Sequence, residues 1–307
     1  MKTVITLTMN PVIDKSTSIE QVIADRKLYC KTPDYEPGGG GINVSRVIRK
    51  LGGESMALFP CGGATGEYFL ELLGAEKLSC LPIPVQGQTR ENFAVIEESS
   101  GRQFRFGLPG PHLEEEEWRR CLRTLETNEM KPDYIVASGS LPPGVPDDFY
   151  AQVADIGKKL GARVIIDTTG EPLRMALQEG IYLVKPNIRE LGELMGRELP
   201  DEVAQREIAM ELIRSGKSAV VALSLGAGGV LLASDEGWER LPTPVVPIKS
   251  KIGAGDSMVG GIVLSLARDK PLRDAIRYGV AAGAAAVMTP GSELCRREDV
   301  ERLYRQE

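Results

Sequence analysis

The stretch DYIVASGSLPPGVPDDFYAQVADIGKKLGARVIIDT, residues 133–168, carries the fold assignment. Its two ends, DYIVASG (133–139) and ARVIIDT (162–168), are nearly uniform apolar runs and read as strands. Between them DDFYAQVADIGKKLG (147–161) reads as a helix. A strand without polar alternation is buried on both faces, which is the habit of a parallel sheet sandwiched by helices. The unit repeats outward in both directions. Upstream, VITLTM (4–9) and SMALFP (55–60) read as strands, and INVSRVIRKLG (42–52) and TGEYFLELLGA (65–75) as helices. Downstream, YLVKPN (182–187) and AVVALSLG (219–226) read as strands, EVAQREIAMELIRSG (202–216) as a helix, and helices near 254–268, 271–288 and 297–306 finish the chain. This alternation predicts an α/β protein with a mainly parallel central sheet. Right-handed crossovers put the strand C-termini on one edge, where open α/β sheets bind ligands.

Two segments break the rhythm. Residues 12–36 alternate without a helical period, and QTRENFAVIEESSGRQFRFG (88–107) reads as a hairpin turning at SSG. They are expected to pair into a small second sheet, a lid over the ligand edge or a dimer contact that covers its own edges. Residues 1–307 are otherwise expected to form a single unit, without repeat or linker.

Composition narrows the function. The 307 residues hold 37 Lys and Arg against 43 Asp and Glu, a net charge of −6, which excludes nucleic-acid binding by bulk charge but leaves room for a local basic pocket. The single histidine, His112, excludes His-rich metal sites and leaves a Ser-His-Asp mechanism resting on one residue. Cys30, Cys61, Cys80, Cys121 and Cys295 are scattered, with no CxxC, and are expected to be reduced in a cytoplasmic protein. The run MKTVITLTMNPVIDK, ended by Asp14, reads as a strand and not a signal peptide. No stretch of 18 apolar residues exists to span a membrane.

Several motifs carry chemistry. In EPGGGGINVSR (36–46), four glycines precede a helix. Glycine loses the most backbone entropy on folding, so the run, with Gly39 and Gly40 inside it, is read as letting amides approach a ligand and not as packing. Asn43 stands in the first helical turn, ready for hydroxyls. In KIGAGDSMVGG (251–261), Gly253, Ala254 and Gly255 offer bare amides at a helix N-terminus, a natural anion site. Asp256 in that turn has the role of taking a proton from an attacking hydroxyl. Capping would explain the aspartate but not two glycines. In VKPNIREL (184–191), Asn187 and Glu190 have the spacing of a capping box. The alternative is a hydrated magnesium ion at Glu190, with Lys185 and Asn187 near nucleotide phosphates. SLGAGG (224–229) is either a turn for a nucleotide or a hairpin into GVLLAS (229–234). Asp14, Arg90 and Arg105 are each ordinary surface charges by themselves. Ser138 or Ser140, in SGSLPPG (138–144), leaves a strand end where a sugar phosphate could bind. SGKS (215–218) runs helix to strand and is no P-loop, and GxGxxG is absent, which removes a nicotinamide dehydrogenase. The acidic run Glu114–Glu117 opens a helix as a solvated end.

With GGGGINVSR and GAGDSMVGG both present and in this order, the chain resembles the ribokinase-like (phosphofructokinase B) family of sugar kinases over essentially its full length. EPGGGGINV, FPCGGATGE, SGSLPPGV, VKPN and GAGDSMVG look like its minor 6-phosphofructokinase branch. The resemblance implies a three-layer α/β/α fold with a β-sheet lid. It implies Asp256 as catalytic base and Gly253, Ala254 and Gly255 as the anion hole. Sugar hydroxyls would be met by Asp14, Gly39, Gly40 and Asn43, and the acceptor's phosphate by Arg90 and Ser140 with Lys27 nearby. ATP would lie against Lys185, Asn187, Ser224, Gly226, Gly229, Val280 and Gly283, with Glu190 organising Mg2+ through water. Ser250, Ile252, Ala286 and Gly291 fall where relatives bind K+. The implied reaction phosphorylates fructose 6-phosphate to fructose 1,6-bisphosphate. Tagatose-6-phosphate kinase and 1-phosphofructokinase are the enzyme alternatives, and a sugar-phosphate sensor is the non-enzyme one. The implied partners are ATP, a ketohexose phosphate and a second copy joined through the lid. Tyr29 stands where relatives often carry a basic residue, with Arg26 nearby, and Lys251 where a small or polar one is commoner.

Overall fold

Alternate residues of the strand at 134–138 enter two different cores. Tyr134 and Val136 pack on one side, Ile135 and Ala137 on the other, and all four are buried. That period of two, with both faces apolar, is what a central strand between two helical layers requires. The computed structural model describes residues 1–291 and 293–306. Its first half runs β1 (Val4–Leu7), β2 (Val12–Ile19), β3 (Asp34–Gly38), α1 (Gly40–Lys50), β4 (Met56–Cys61), α2 (Gly63–Ala75), β5 (Ser79–Pro84), β6 (Arg90–Glu97), β7 (Gln103–Phe106), α3 (Glu115–Thr127), β8 (Tyr134–Ser138) and α4 (Phe149–Leu160). The second half runs β9 (Arg163–Asp167), α5 (Gly170–Gln178), β10 (Ile181–Val184), α6 (Ile188–Met195), α7 (Glu202–Arg214), β11 (Ser218–Ser224), β12 (Val230–Ser234), β13 (Gly237–Leu241), α8 (Ala254–Ala267), α9 (Leu272–Val287) and α10 (Arg297–Arg305).

The main sheet has nine strands in the order β13-β12-β11-β10-β9-β8-β1-β4-β5. It is parallel from β5 to β11, and β12 and β13 close one edge antiparallel. One face buries α1, α8, α9 and α10, and the other buries α3, α4, α5, α6 and α7, which gives the expected three layers. Strand order reverses between β1 and β8, so the crevice of this α/β sheet opens at their C-terminal ends. Among the described residues no helix is long and apolar enough to cross a membrane.

The two irregular segments do pair. β3, β2, β6 and β7 form a four-stranded sheet in that order, with β2 and β6 parallel and the outer pairs antiparallel. Cross-strand register gives the sheet two unlike faces. Asp14 lies opposite Asn92, and Ala94 opposite Arg105, on one face. Tyr35, Lys15, Phe93 and Phe106 form one row across the other.

Three elements were not legible. β5 carries Pro82 and Pro84, which disguise a strand but suit an exposed edge. β13 alternates exposed and half-buried residues, and α5 starts at Gly170 with φ 68°.

The glycine run is also explained differently from the expectation. A Cβ on Gly41 would lie 2.6 Å from the Leu7 carbonyl and 2.6 Å from Thr8 Oγ1. A Cβ on Gly40 would lie 2.2 Å from Ser138 Oγ and 2.8 Å from the Gly139 nitrogen. Close packing of α1 on the ends of β1 and β8 therefore does demand glycine. Gly41→Ala is expected to cost about 1–3 kcal/mol through overpacking. A melting temperature lowered by about 2–6 °C would register it, and an unchanged one would refute this account of the run.

Candidate active site

Asp256 stands in the first turn of α8, half-buried at the crevice. Gly253 caps the helix in the left-handed conformation, with φ 69°. The first backbone bond of α8 runs from Ser257 N to Gly253 O, so the amides ahead of Ser257 face out of the helix end. Asn43 in α1 donates its Nδ2 to Asp256 Oδ2 at 2.8 Å, across 213 residues of chain. Arg46, buried one turn further on, donates to Asn43 Oδ1 at 3.5 Å and to the Pro37 carbonyl at 2.8 Å, and forks onto Glu76. That chain of donors turns the Asn43 amide toward Asp256.

Lys185, at the end of β10, is buried with Nζ 3.4 Å from Asp167 Oδ1. Burial works against its ammonium form, but Asp167, Asp256 and Glu190 outweigh it and hold the pKa above the usual value. A Cβ on Gly255 would stand 3.3 Å from this ammonium, so lysine and helix end share one small space. Burial, together with Asp167 and Asp14, pushes the Asp256 carboxyl up to about 6, against the pull of Asn43 and Lys185. Asp14 also lies above its ordinary range, raised by burial against Asn92, Arg90 and Arg105. Its Oδ1 accepts from Asn92 Nδ2 at 3.1 Å, and Gly38 leaves room for Oδ2, which a Cβ there would approach to 2.3 Å. A cavity of about 260 Å³ joins Asp14, Asn92 and Arg105 of the second sheet to Ile252 and Gly291.

Asp167 and Glu190 set two carboxylates beside Lys185. Glu190 and Asn187 form the capping box, with both reciprocal bonds at 2.9 Å, which occupies Glu190 Oε2 and leaves Oε1. No group of three His, Cys, Asp or Glu that could cage a metal occurs among the described residues. Such a set fits magnesium, which keeps several waters and uses one or two carboxylates plus substrate phosphates.

A model of the pfkB family of carbohydrate kinases matches residues 3–299. The chain is 44% identical over 301 residues to the ATP-dependent 6-phosphofructokinase isozyme 2 of Mycobacterium tuberculosis, covering 98% of this chain and 88% of that protein. It is 43% identical over 307 residues to the Escherichia coli protein of the same name, covering 99% and 98%. The crystal structure of phosphofructokinase-2 from Escherichia coli in complex with potassium matches with a TM-score of 0.96 at 42% identity, covering 100% and 99% of the two chains. The structure of that enzyme in complex with fructose-6-phosphate matches at 0.93 and 41%, with the same coverage. The chain belongs to the pfkB family of carbohydrate kinases.

Around this pfkB centre the other expected residues fall into groups. Gly39, with φ 109°, turns the chain into α1 beside Gly40. Ser138 is buried under Gly40, whereas Ser140 is exposed. Arg90 is half-buried, and burial lowers its pKa. Lys27 is exposed on the loop between β2 and β3, with Nζ 5.2 Å from the centre of the Tyr29 ring. No contact brings it to Arg90 or Ser140 among the described residues. Ser224 bridges to Asn187 and donates from Oγ to the Pro186 carbonyl at 3.2 Å. Gly226 opens a short 3-10 turn, and Gly229 passes so close to Leu241 that a Cβ would lie 2.1 Å from its carbonyl, so the hairpin itself requires that glycine. Val280 is buried in the core and Gly283 is pressed against Ala254, so both shape the floor and offer no polar side chain. Ser250 Oγ donates to the Gly291 carbonyl at 2.9 Å and accepts from Ile252 N. The Ala286 carbonyl accepts from Thr289 N at 3.2 Å and from Thr289 Oγ1 at 2.7 Å. Lys251 is exposed, and His112 lies on the exposed approach to α3, 3.8 Å from Glu114.

Two residues escaped the sequence reading. Asp167 ends β9 as a lone aspartate, and Asn10 lies in the turn after β1. Only the strand-end position common to both could have singled them out.

The ionised form of Asp256 is the one able to take a proton. The kcat/KM of the free enzyme is therefore expected to fall tenfold per pH unit below about 6 and to level off above it. Lys185 lowers this pKa, so Lys185→Met should move that acid limb to higher pH. A limb that stays in place in the variant would separate the lysine from the aspartate.

Proposed function

We propose that the protein transfers the γ-phosphoryl group of ATP to the 1-hydroxyl of fructose 6-phosphate. The observation that carries this reading is the Asp256 carboxylate, held on Oδ2 by Asn43 at the amino end of α8, beside the Lys185 ammonium. Asp256 Oδ1 is then left to take the hydroxyl proton as the oxygen attacks. The outward amides at 253–255 and the helix dipole stabilise charge on the group in transit. Lys185 adds a full positive charge at the same place. Glu190 and Asp167 would hold magnesium, which when bound neutralises the nucleotide phosphates. Potassium, where used, would be held by Ser250, Ile252 and Gly291. Asp14, Asn43 and the glycines before α1 orient the sugar, and Arg90 with Ser140 holds its phosphate. The second sheet serves as a lid, and excluding water prevents hydrolysis of ATP.

A coupled assay with fructose 6-phosphate, tagatose 6-phosphate and fructose 1-phosphate tests the substrate. Fructose 6-phosphate should give the highest kcat/KM, and a preference for another of the three would reassign it. Asp256→Asn should cut turnover by about 10² or more. The same variant should be more stable at neutral pH. A folded-state pKa raised from 3.8 to about 6 contributes stability below 3.8 that is lost as pH rises through 6. Removing the carboxyl therefore relieves about 1–3 kcal/mol at pH 8. An Asp256→Asn protein that turns over normally would defeat the assignment.

The outer row of the lid, with Tyr35 38%, Phe93 37% and Phe106 54% exposed, is a surface for a second copy of the chain. Light scattering should return twice the 33.3 kDa chain mass for the wild type, and a monomer for Phe106→Glu. A wild-type monomer would remove this contact.

A further inference from the structure

We propose that Asn10 is a positioning residue that arms Arg90 and Ser140 for the phosphate of the acceptor sugar. The inference rests on the kinase reading above and deepens it.

Asn10 is 6% exposed, and three contacts converge on it. Its backbone carbonyl accepts from Arg90 Nε at 3.3 Å and from Nη2 at 3.1 Å. Its Nδ2 donates to Ser140 Oγ at 3.2 Å. Pro11 follows it, and the residue before a proline is confined to extended backbone, so the direction of that carbonyl is fixed.

Arg90 spends donors on Asn10 and, through Nη1, on the Leu108 carbonyl at 3.1 Å. Three of its five N–H groups are so used, and two remain. Ser140 Oγ accepts a hydrogen from Asn10, which turns its own O–H outward as a donor. A fixed guanidinium and an oriented hydroxyl, both tied to one buried residue, are a bidentate-plus-one receptor for a phosphate dianion. Burial disfavours the Arg90 charge more than Asp14 offsets it, and a bound anion would relieve the difference.

The remaining atom of Asn10 argues against a merely structural role. Its Oδ1 is buried without a partner among the described residues, facing Gly110, where a Cβ would come within 2.2 Å. An unpaired buried carbonyl is unfavourable, and an apolar side chain would avoid it. What the amide adds in return is the Nδ2 donor to Ser140.

Steady-state kinetics with fructose 6-phosphate test the proposal. Asn10→Leu keeps the bulk and adds no charge but removes the Nδ2 donor, so Ser140 Oγ is no longer held with its hydrogen outward. Its KM for the sugar phosphate should rise about 10- to 100-fold, the worth of a hydrogen bond to a charged group. The KM for ATP should not move, and kcat should stay within about threefold, because the lost contact is made equally before and during phosphoryl transfer. Ser140→Ala, at an exposed position, should reproduce the KM rise, and the double variant should add nothing, since one donor is lost in each case. Should Asn10→Leu fail to fold, Asn10→Ala completes the same cycle. Additive KM effects, or a joint loss in kcat and in both KM values, would overturn the role of Asn10. If the wild type prefers tagatose 6-phosphate, the cycle is read with that sugar and the inference stands or falls unchanged. A wild type that phosphorylates no sugar phosphate overturns the parent reading, and the proposal with it, before any variant is compared.

Discussion

A single hydrogen bond, from Asn43 Nδ2 to Asp256 Oδ2, ties the amino end of α1 to the amino end of α8. The rest of the site is arranged around the convergence it marks. α1 follows directly from the second sheet and brings the glycines and Asn43 to the crevice, where β2 places Asp14. α8 follows the antiparallel edge of the main sheet and brings bare amides and Asp256. The two helices can meet because their contact is stripped of bulk. A Cβ on Gly260 would lie 2.5 Å from Val47 Cγ1 and 3.3 Å from the Val44 carbonyl. Protein interiors are close-packed, so a single methyl in that seam would displace one helix start from the other. The two helix starts are thus fixed to each other by packing, and the Asn43 bond only sets the final orientation of the carboxylate.

The glycine run illustrates how far sequence reading reaches. Its importance was evident, because four consecutive glycines are costly to order. The reason was not. Gly38 makes room for Asp14, and Gly40 and Gly41 lie against the ends of β8 and β1, which are distant in sequence. Such long-range approach leaves no local pattern. The same holds for the sheet edges: β5 hides behind prolines, and β13 is a five-residue edge strand with only Leu241 buried. Buried parallel strands were legible because both faces demand apolar residues. Asp256 and Glu190 were legible because helix starts have their own chemistry. Asp167 and Asn10 act across strand ends, and their role depends on which strand lies beside which.

Charge around Lys185 has its own logic. Lys185 faces Asp167, Asp256 and Glu190, and all three stabilise its positive charge. One cation among three carboxylates leaves the group net negative whenever the aspartates are ionised. In the proposed reaction such a site would oppose a free polyphosphate and admit one that brings its own cations. The same imbalance keeps the Asp256 pKa up near 6, since Asp167 and Asp14 both add to the effect of burial. A carboxylate in a salt bridge with a lysine of its own would have sat lower and been a weaker base. Sharing Lys185 with Asp167 therefore serves two ends at once. It leaves Asp256 basic enough to take a proton near neutral pH, and in the proposed transfer it would leave positive charge to arrive with a metal-bound nucleotide.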